Sequence, residues 1–164
     1  MKALSLWQPW ASLVAIGVKP HETRSWAPPL ALIGKRFAIH AAKKSIDEAT
    51  AGLTDGVMEA MVRALIAAGE DPMNLPHGKV VCTVVLGDPG RVESRMRTST
   101  GLHAVLHNGS RVLINHFGDY AVGRWVWPLL DVERVTPYDV IGRQGLFDLD
   151  VATGAVHTPM LFGR

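Results

Sequence analysis

The chain has 164 residues, a mass of 17.8 kDa and a formal charge of only +2, the size of one domain. With 48% hydrophobic and 20% charged residues it is neither disordered nor dependent on staples, since a chain this long buries about 70% of its unfolded surface. No apolar run reaches the ~18 residues that span a bilayer. The single cysteine, Cys82, excludes a disulfide framework or a Cys-rich zinc site.

Taken in order, residues 2–7 alternate as a strand does. Pro9 is placed to open a helix and Gly17 to close it, with Trp10, Leu13, Val14 and Ile16 as the apolar stripe. Residues 22–26 suit a short extended segment ended by Pro28-Pro29, and Gly34–Ala42 a strand with Phe37 and Ile39 on one face and Arg36, Ala38 and His40 on the other. Ser45-Ile46-Asp47-Glu48 is a capping box, and Gly52 and Gly56 divide the following region into a short helix and a longer one that stops at Gly69. Lys79–Leu86 is the clearest strand, apolar enough for burial on both faces, with Cys82 a structural thiol inside it. Residues 87–111 read as a flexible excursion with a short ordered piece near Leu102–Leu106. Strand character resumes over Arg124–Val135 and closes over Gly145–Leu149, and residues from Ala152 onward lack periodicity. An N-terminal leader is not expected, because Gln8-Pro9 interrupts the apolar run and no small-residue cleavage site follows. Cytoplasmic residence is the expectation.

Charge is uneven along the chain. Residues 1–44 carry seven Lys/Arg and one acid, residues 45–89 two bases and seven acids, and residues 90–111 four arginines and one acid. Such asymmetry can create a basic face for an anionic partner.

The densest constellation is Gly17-Val18-Lys19-Pro20-His21-Glu22-Thr23-Arg24. If residues 22–26 are extended, Glu22 and Arg24 share a face, because strand side chains alternate, and Lys19 joins them from the turn. A lysine can act as a point charge, nucleophile or base, and a glutamate can orient it or move a proton. An exposed turn with weak ion pairs is the competing description.

Gly17, Lys19, Glu22 and Arg24 reproduce G-x-K-x-x-E-x-R, and with Ser5-Leu6-Trp7-Gln8-Pro9-Trp10, Phe37-Ala38-Ile39-His40-Ala41, Gly123-Arg124-Trp125 and Gly142-Arg143-Gln144-Gly145-Leu146-Phe147 they resemble the ASCH domain family of the PUA-like superfamily. The resemblance implies an ASCH domain over residues 1–150, a C-terminal tail over 151–164, and an α+β fold in which helices surround a small, closed or nearly closed β-barrel of about five or six strands. It also implies a cleft lined by the motif that binds RNA or a modified nucleotide or nucleoside. Some members are hydrolases, removing acetyl from acetylcytidine or cutting RNA. The amidohydrolases use the lysine matching Lys19 but carry threonine where this chain has Glu22. A hydrolase here would use Lys19, Glu22 and Arg24 without a metal or cofactor.

Five tryptophans are many for this length, and most are expected in the core. Those closest to the motif offer stacking surfaces, so Trp7, Trp10 and Trp26, with Lys35, Arg36, His40 and Arg124, complete the candidate binding set. His103 and His107 are four apart, but without an H-E-x-x-H pattern or a cysteine partner no metal site is expected. Arg91, Arg95, Arg97 and Arg111 could meet phosphate in the 87–111 segment. The leading expectation is a cleft that binds RNA or a modified nucleotide. A hydrolase of the same fold is the alternative, and a protein-interaction domain binding an acidic partner the second.

Overall fold

Glycine and proline punctuate the chain into nine strands and three α-helices in the computed structural model, which describes residues 1–149. In chain order these are β1 (Lys2–Leu6), α1 (Trp10–Ala15), β2 (His21–Arg24), β3 (Arg36–Ala41), α2 (Ile46–Thr50) and α3 (Asp55–Ala67). There follow β4 (Lys79–Leu86), β5 (Gly90–Thr98), β6 (Gly101–Leu106), β7 (Arg111–Leu113), β8 (Trp125–Asp139) and β9 (Leu146–Asp148). The expected tail over 151–164 lies outside the described residues.

The sheet runs β7-β6-β5-β8-β4-β3-β1-β9, with β2 as a further partner of β8. Among the described residues β1 and β3 pair in parallel and the other pairings are antiparallel, so the fold is α+β on a mixed sheet. Among the described residues β7 and β9, at the two ends, do not hydrogen-bond to each other, so the ladder is not closed into the expected barrel. It also holds nine strands rather than about five or six.

The long strand β8 organises the molecule. Its first residues, Trp125–Pro128, pair with β2 on one side and at Val126 and Trp125 with β5 on the other, and Leu129–Asp139 pair with β4. Asp131 takes φ +48°, and the β4–β8 register shifts twice, the irregularities that let one strand serve separate partners. The main core joins Leu4, Leu6, Phe37, Ile39, Val84, Leu86 and Trp127, all buried. Cys82 is fully buried within it, and burial pushes its thiol up to about 12, so it is a packing residue.

Residues 87–111 are not a flexible excursion. They form most of a three-stranded arm, β5-β6-β7, in which Val92, Ala104 and Leu106 are buried with Tyr120 and Val126. The exposed Arg95 and Arg97 share a face with buried Ala104 and half-buried Leu102 across the pairing, which conceals the period-two pattern in the sequence. His103 lies on β6 and His107 in the turn that follows, so they are not a helical pair. The helices follow their caps. Ser45 Oγ accepts from the Glu48 amide at 3.3 Å, and Thr54 begins α3, which buries Met61 and Leu65 against Leu13 of α1.

Candidate functional site: a charged cleft beside strand β2

Gly17 sets the position of the motif. At φ +82° it adopts the left-handed conformation that ends α1, its amide meeting the Val14 carbonyl at 2.9 Å while the Val18 amide reaches Leu13 at 3.1 Å. This cap turns the chain so that the Lys19 amide also meets Leu13, and the lysine enters the interior beside β2. Lys19 is 2% exposed. Its Nζ lies 3.1 Å from Glu22 Oε2 and donates to the His21 carbonyl at 2.5 Å.

Glu22 and Arg24 project together, as alternation along β2 requires. The other oxygen of Glu22 is 3.2 Å from Arg24 Nε, close enough for ionic attraction although not aligned as a hydrogen bond. Arg24 Nη2 donates to the Ser5 carbonyl at 3.0 Å. The carboxylate thus sits between two cations and compensates both where water is largely excluded. His21, the next side chain along, is pushed down to about 4 by burial and by the charge of Lys19. Its Nδ1 is 3.1 Å from the Tyr120 hydroxyl, itself pushed up to about 12, chiefly by burial.

Lys19, Glu22 and Arg24 line a cleft of about 860 Å³, whereas His21 and Tyr120 lie outside its lining. The loop over residues 116–119 forms one wall, fastened to β2 by the Asp119 amide on Thr23 Oγ1 and by Arg124 Nη2 on the Thr23 carbonyl, both at 3.0 Å. Gly118 is required there, since a Cβ would come within 2.9 Å of the Tyr120 ring. A second wall is the segment 141–145, where Gly142 lies so close to His40 that a Cβ would be 2.0 Å from the imidazole. Burial holds His40 below its ordinary value against the upward pull of the Val140 backbone, and Lys43 lowers it further.

Of the candidates read from the sequence, Lys19, Glu22, Arg24, Trp7, Trp10, His40 and Arg124 line this cleft. Trp7 is half exposed at the edge, with Lys44 Nζ 3.8 Å from its ring centroid. Trp26, Lys35 and Arg36 do not line it. Trp26 packs edge-on against the core residue Trp127, with centroids 4.8 Å apart. Arg36 is committed to Asp131 and Glu133 on the face of β8, and Lys35 is exposed before β3. Sequence reasoning missed Ser5, Lys43 and the 116–119 wall. The glycines at 118 and 142, each beside a charged residue, were the available signal. Among the described residues of the lining, Lys19, Arg24, Lys43, Arg124 and Arg143 face two carboxylates, Glu22 and Asp119, so the cleft is electropositive. Among the described residues no group of His, Cys, Asp and Glu is arranged to hold a metal ion. No helix there is long and apolar enough to cross a membrane.

A mixed sheet with few helices, and the motif gathered at one cleft, define an α+β protein of the ASCH kind. A family model for the ASCH domain matches residues 4–102, and the chain belongs to that family. Similar solved structures include an ASCH protein from Zymomonas mobilis, 16% identical, covering 92% of this chain and 87% of that one, with a TM-score of 0.48. Two point variants of that protein match at 16% and 17% identity, covering 92% of this chain and 90% and 88% of theirs, each with a TM-score of 0.46. No curated protein matches the chain.

Proposed function

We propose that the protein binds RNA or a modified nucleotide in the cleft beside β2. The observation that carries this reading is the charge of the cavity, five cations against two carboxylates, with Trp7 and Trp10 in the same lining. A nucleotide is an anion bearing an aromatic ring, and this lining offers both a phosphate partner and a stacking surface. Lys43 and Arg143 are exposed and free to reach phosphate, whereas Lys19 and Arg24 are held by Glu22 and shape the interior. The exposed Arg91, Arg95, Arg97 and Arg111 of the arm favour a polynucleotide over a free nucleoside. Family membership is in keeping with a nucleic-acid-related partner.

The test is fluorescence anisotropy with a labelled single-stranded RNA over a range of salt. Affinity is expected to fall as salt rises, because bound phosphates release counterions. Replacing Lys43 and Arg143 together by alanine is expected to weaken binding and reduce the salt slope by about 1 to 1.5. Affinity indifferent to salt and to both substitutions would remove the cleft as a nucleic-acid site and bring the protein-interaction reading forward.

A further inference from the structure

Helix α1 separates two cavities. Trp10 lines the charged cleft, whereas Ser12 and Ala15, which the helix's turn of about 3.6 residues places on its other side, line a cavity of about 510 Å³. No described residue lines both. The second cavity is bounded by the segment 70–77 after α3 and by β4 and β8.

Its lining has two characters. Ala15, Leu75, Val81 and Val135 are apolar and buried. Beside them stand charges of both signs. Arg134 Nη2 donates to Glu70 Oε1, which leaves the other guanidinium N–H groups and Glu70 Oε2 without a partner among the described residues. That pair is largely withdrawn from water, its side chains 31% and 23% exposed. Lys79 Nζ meets Asp139, which lies outside the lining, at 2.9 Å and has further N–H groups to offer. His77 Nδ1 donates to the Leu75 carbonyl at 2.9 Å, so in the neutral ring Nε2 is the acceptor, and it is buried without a partner among the described residues.

We propose that this cavity binds a free α-amino acid with an aliphatic side chain.

Each part of such a ligand answers a part of the lining. A carboxylate suits the spare donors of Arg134 and Lys79, and an ammonium suits Glu70 Oε2 and His77 Nε2. The aliphatic side chain covers Ala15, Leu75, Val81 and Val135. An anion lacking an N–H donor would leave both acceptors empty and face Glu70, while an amine lacking a carboxylate would face two cations. Buried charge is tolerated only when paired, so the lining selects against both. The volume lies within the range of about 300–1,000 Å³ usual for small-ligand sites. The wall is also in place beforehand. Gln8, fully buried, donates through Nε2 to Ser12 Oγ at 2.8 Å and to the Pro76 carbonyl at 2.7 Å, and so ties the segment 70–77 to α1.

The experiment titrates the ¹⁵N-labelled full chain with L-valine and with L-leucine and follows its amide resonances. Shifts are expected at residues 70–77 and 134–136, with a Kd below about 1 mM for at least one of the two. Two analogues of leucine divide the zwitterion. 4-Methylpentanoate, which lacks the amine, and 3-methylbutylamine, which lacks the carboxylate, should each bind about 10-fold more weakly or worse. Glu70→Gln, which keeps an acceptor for Arg134, should weaken the amino acid about 10-fold without weakening 4-methylpentanoate. A merely structural role for Glu70 would lower both affinities together. If Glu70→Gln does not fold, the analogues on the unaltered chain still decide. The proposal is overturned if neither amino acid shifts these resonances at about 10 mM, or if 4-methylpentanoate or 3-methylbutylamine binds as well as leucine. RNA plays no part in the readout, so failure here leaves the nucleotide reading of the cleft standing, and failure of that reading leaves this cavity untouched.

Discussion

Strands β2 and β4 both pair antiparallel with β8, and both are largely buried, yet for opposite reasons. β4 is Lys-Val-Val-Cys-Thr-Val-Val-Leu, and removal of apolar surface from water is sufficient to keep it inside. β2 is His-Glu-Thr-Arg, which has no such drive. It is held by the alignment of its backbone on Trp125–Pro128 and by ion pairs that satisfy the charges burial has stripped of water. One strand is buried by its own composition, the other by its neighbours. A fold that places charge beside its core in this way gives up stability for a pre-arranged electrostatic surface.

The comparison breaks most sharply at Glu22. Glu22→Ala leaves Lys19 buried without a counter-charge and is expected to destabilise the protein by about 3–5 kcal/mol in chemical denaturation. The double replacement Lys19→Met with Glu22→Leu, which turns β2 toward the character of β4, should recover most of that loss while abolishing ligand binding. A double variant as unstable as the single one would show that the pair is needed to fold.

How much of this was legible follows the same division. β4 and the face of β3 carrying Phe37 and Ile39 could be read directly, because apolar runs and alternation report burial. The convergence of Glu22 and Arg24 could be read from alternation, and the place of Lys19 in the turn from the helix-closing glycine, but not its burial. The arm could not, since its arginines occupy positions on the core-bearing face where the hairpin extends beyond the core. Nor could the contact of Ser5 Oγ with His40 Nδ1, 35 residues apart, be foreseen without the register of two parallel strands. Ion pairing of Arg36 with Asp131 and Glu133 depends likewise on contacts distant in sequence.

His21 allows the buried polar strand to be tested by acid. Its ordinary value of 6.5 falls to about 4 in the folded protein, with Lys19, Glu22 and Tyr120 as the ionisable groups around it. Between these values the unfolded chain binds more protons than the folded one, so stability is fully present above about 6.5 and is lost as pH falls toward 4. The loss is expected to be roughly 2–3 kcal/mol, measured by denaturation at stepped pH, and His21→Gln should flatten that part of the profile. An unchanged profile would remove His21 from the account.

Gly17 tests whether the turn that delivers Lys19 needs only backbone freedom. No atom lies within 4 Å of a Cβ built there, so Gly17→Ala incurs conformational strain alone, about 1 kcal/mol. A much larger loss of stability would show that the cap is coupled to the buried Lys19–Glu22 pair, and a loss of ligand affinity without unfolding would show that the turn sets the site's geometry.

The smallest effect is expected at Arg36, and it separates charge inside the cleft from charge outside it. Arg36 has a polar setting as full as that of Arg24, with Asp131, Glu133 at 3.1 Å and Thr83 Oγ1 at 3.0 Å. Both acids remain accessible to water, with side chains 68% and 47% exposed. Losing the arginine therefore strands no buried charge, and Arg36→Ala should cost under about 1 kcal/mol. Because Arg36 does not line the cleft, the same variant should leave the RNA salt slope unchanged while the Lys43 and Arg143 replacements lower it. If Arg36→Ala weakens RNA binding as strongly as those two, phosphate is being met on the outer face of β3 and β8, and the interface must be moved there.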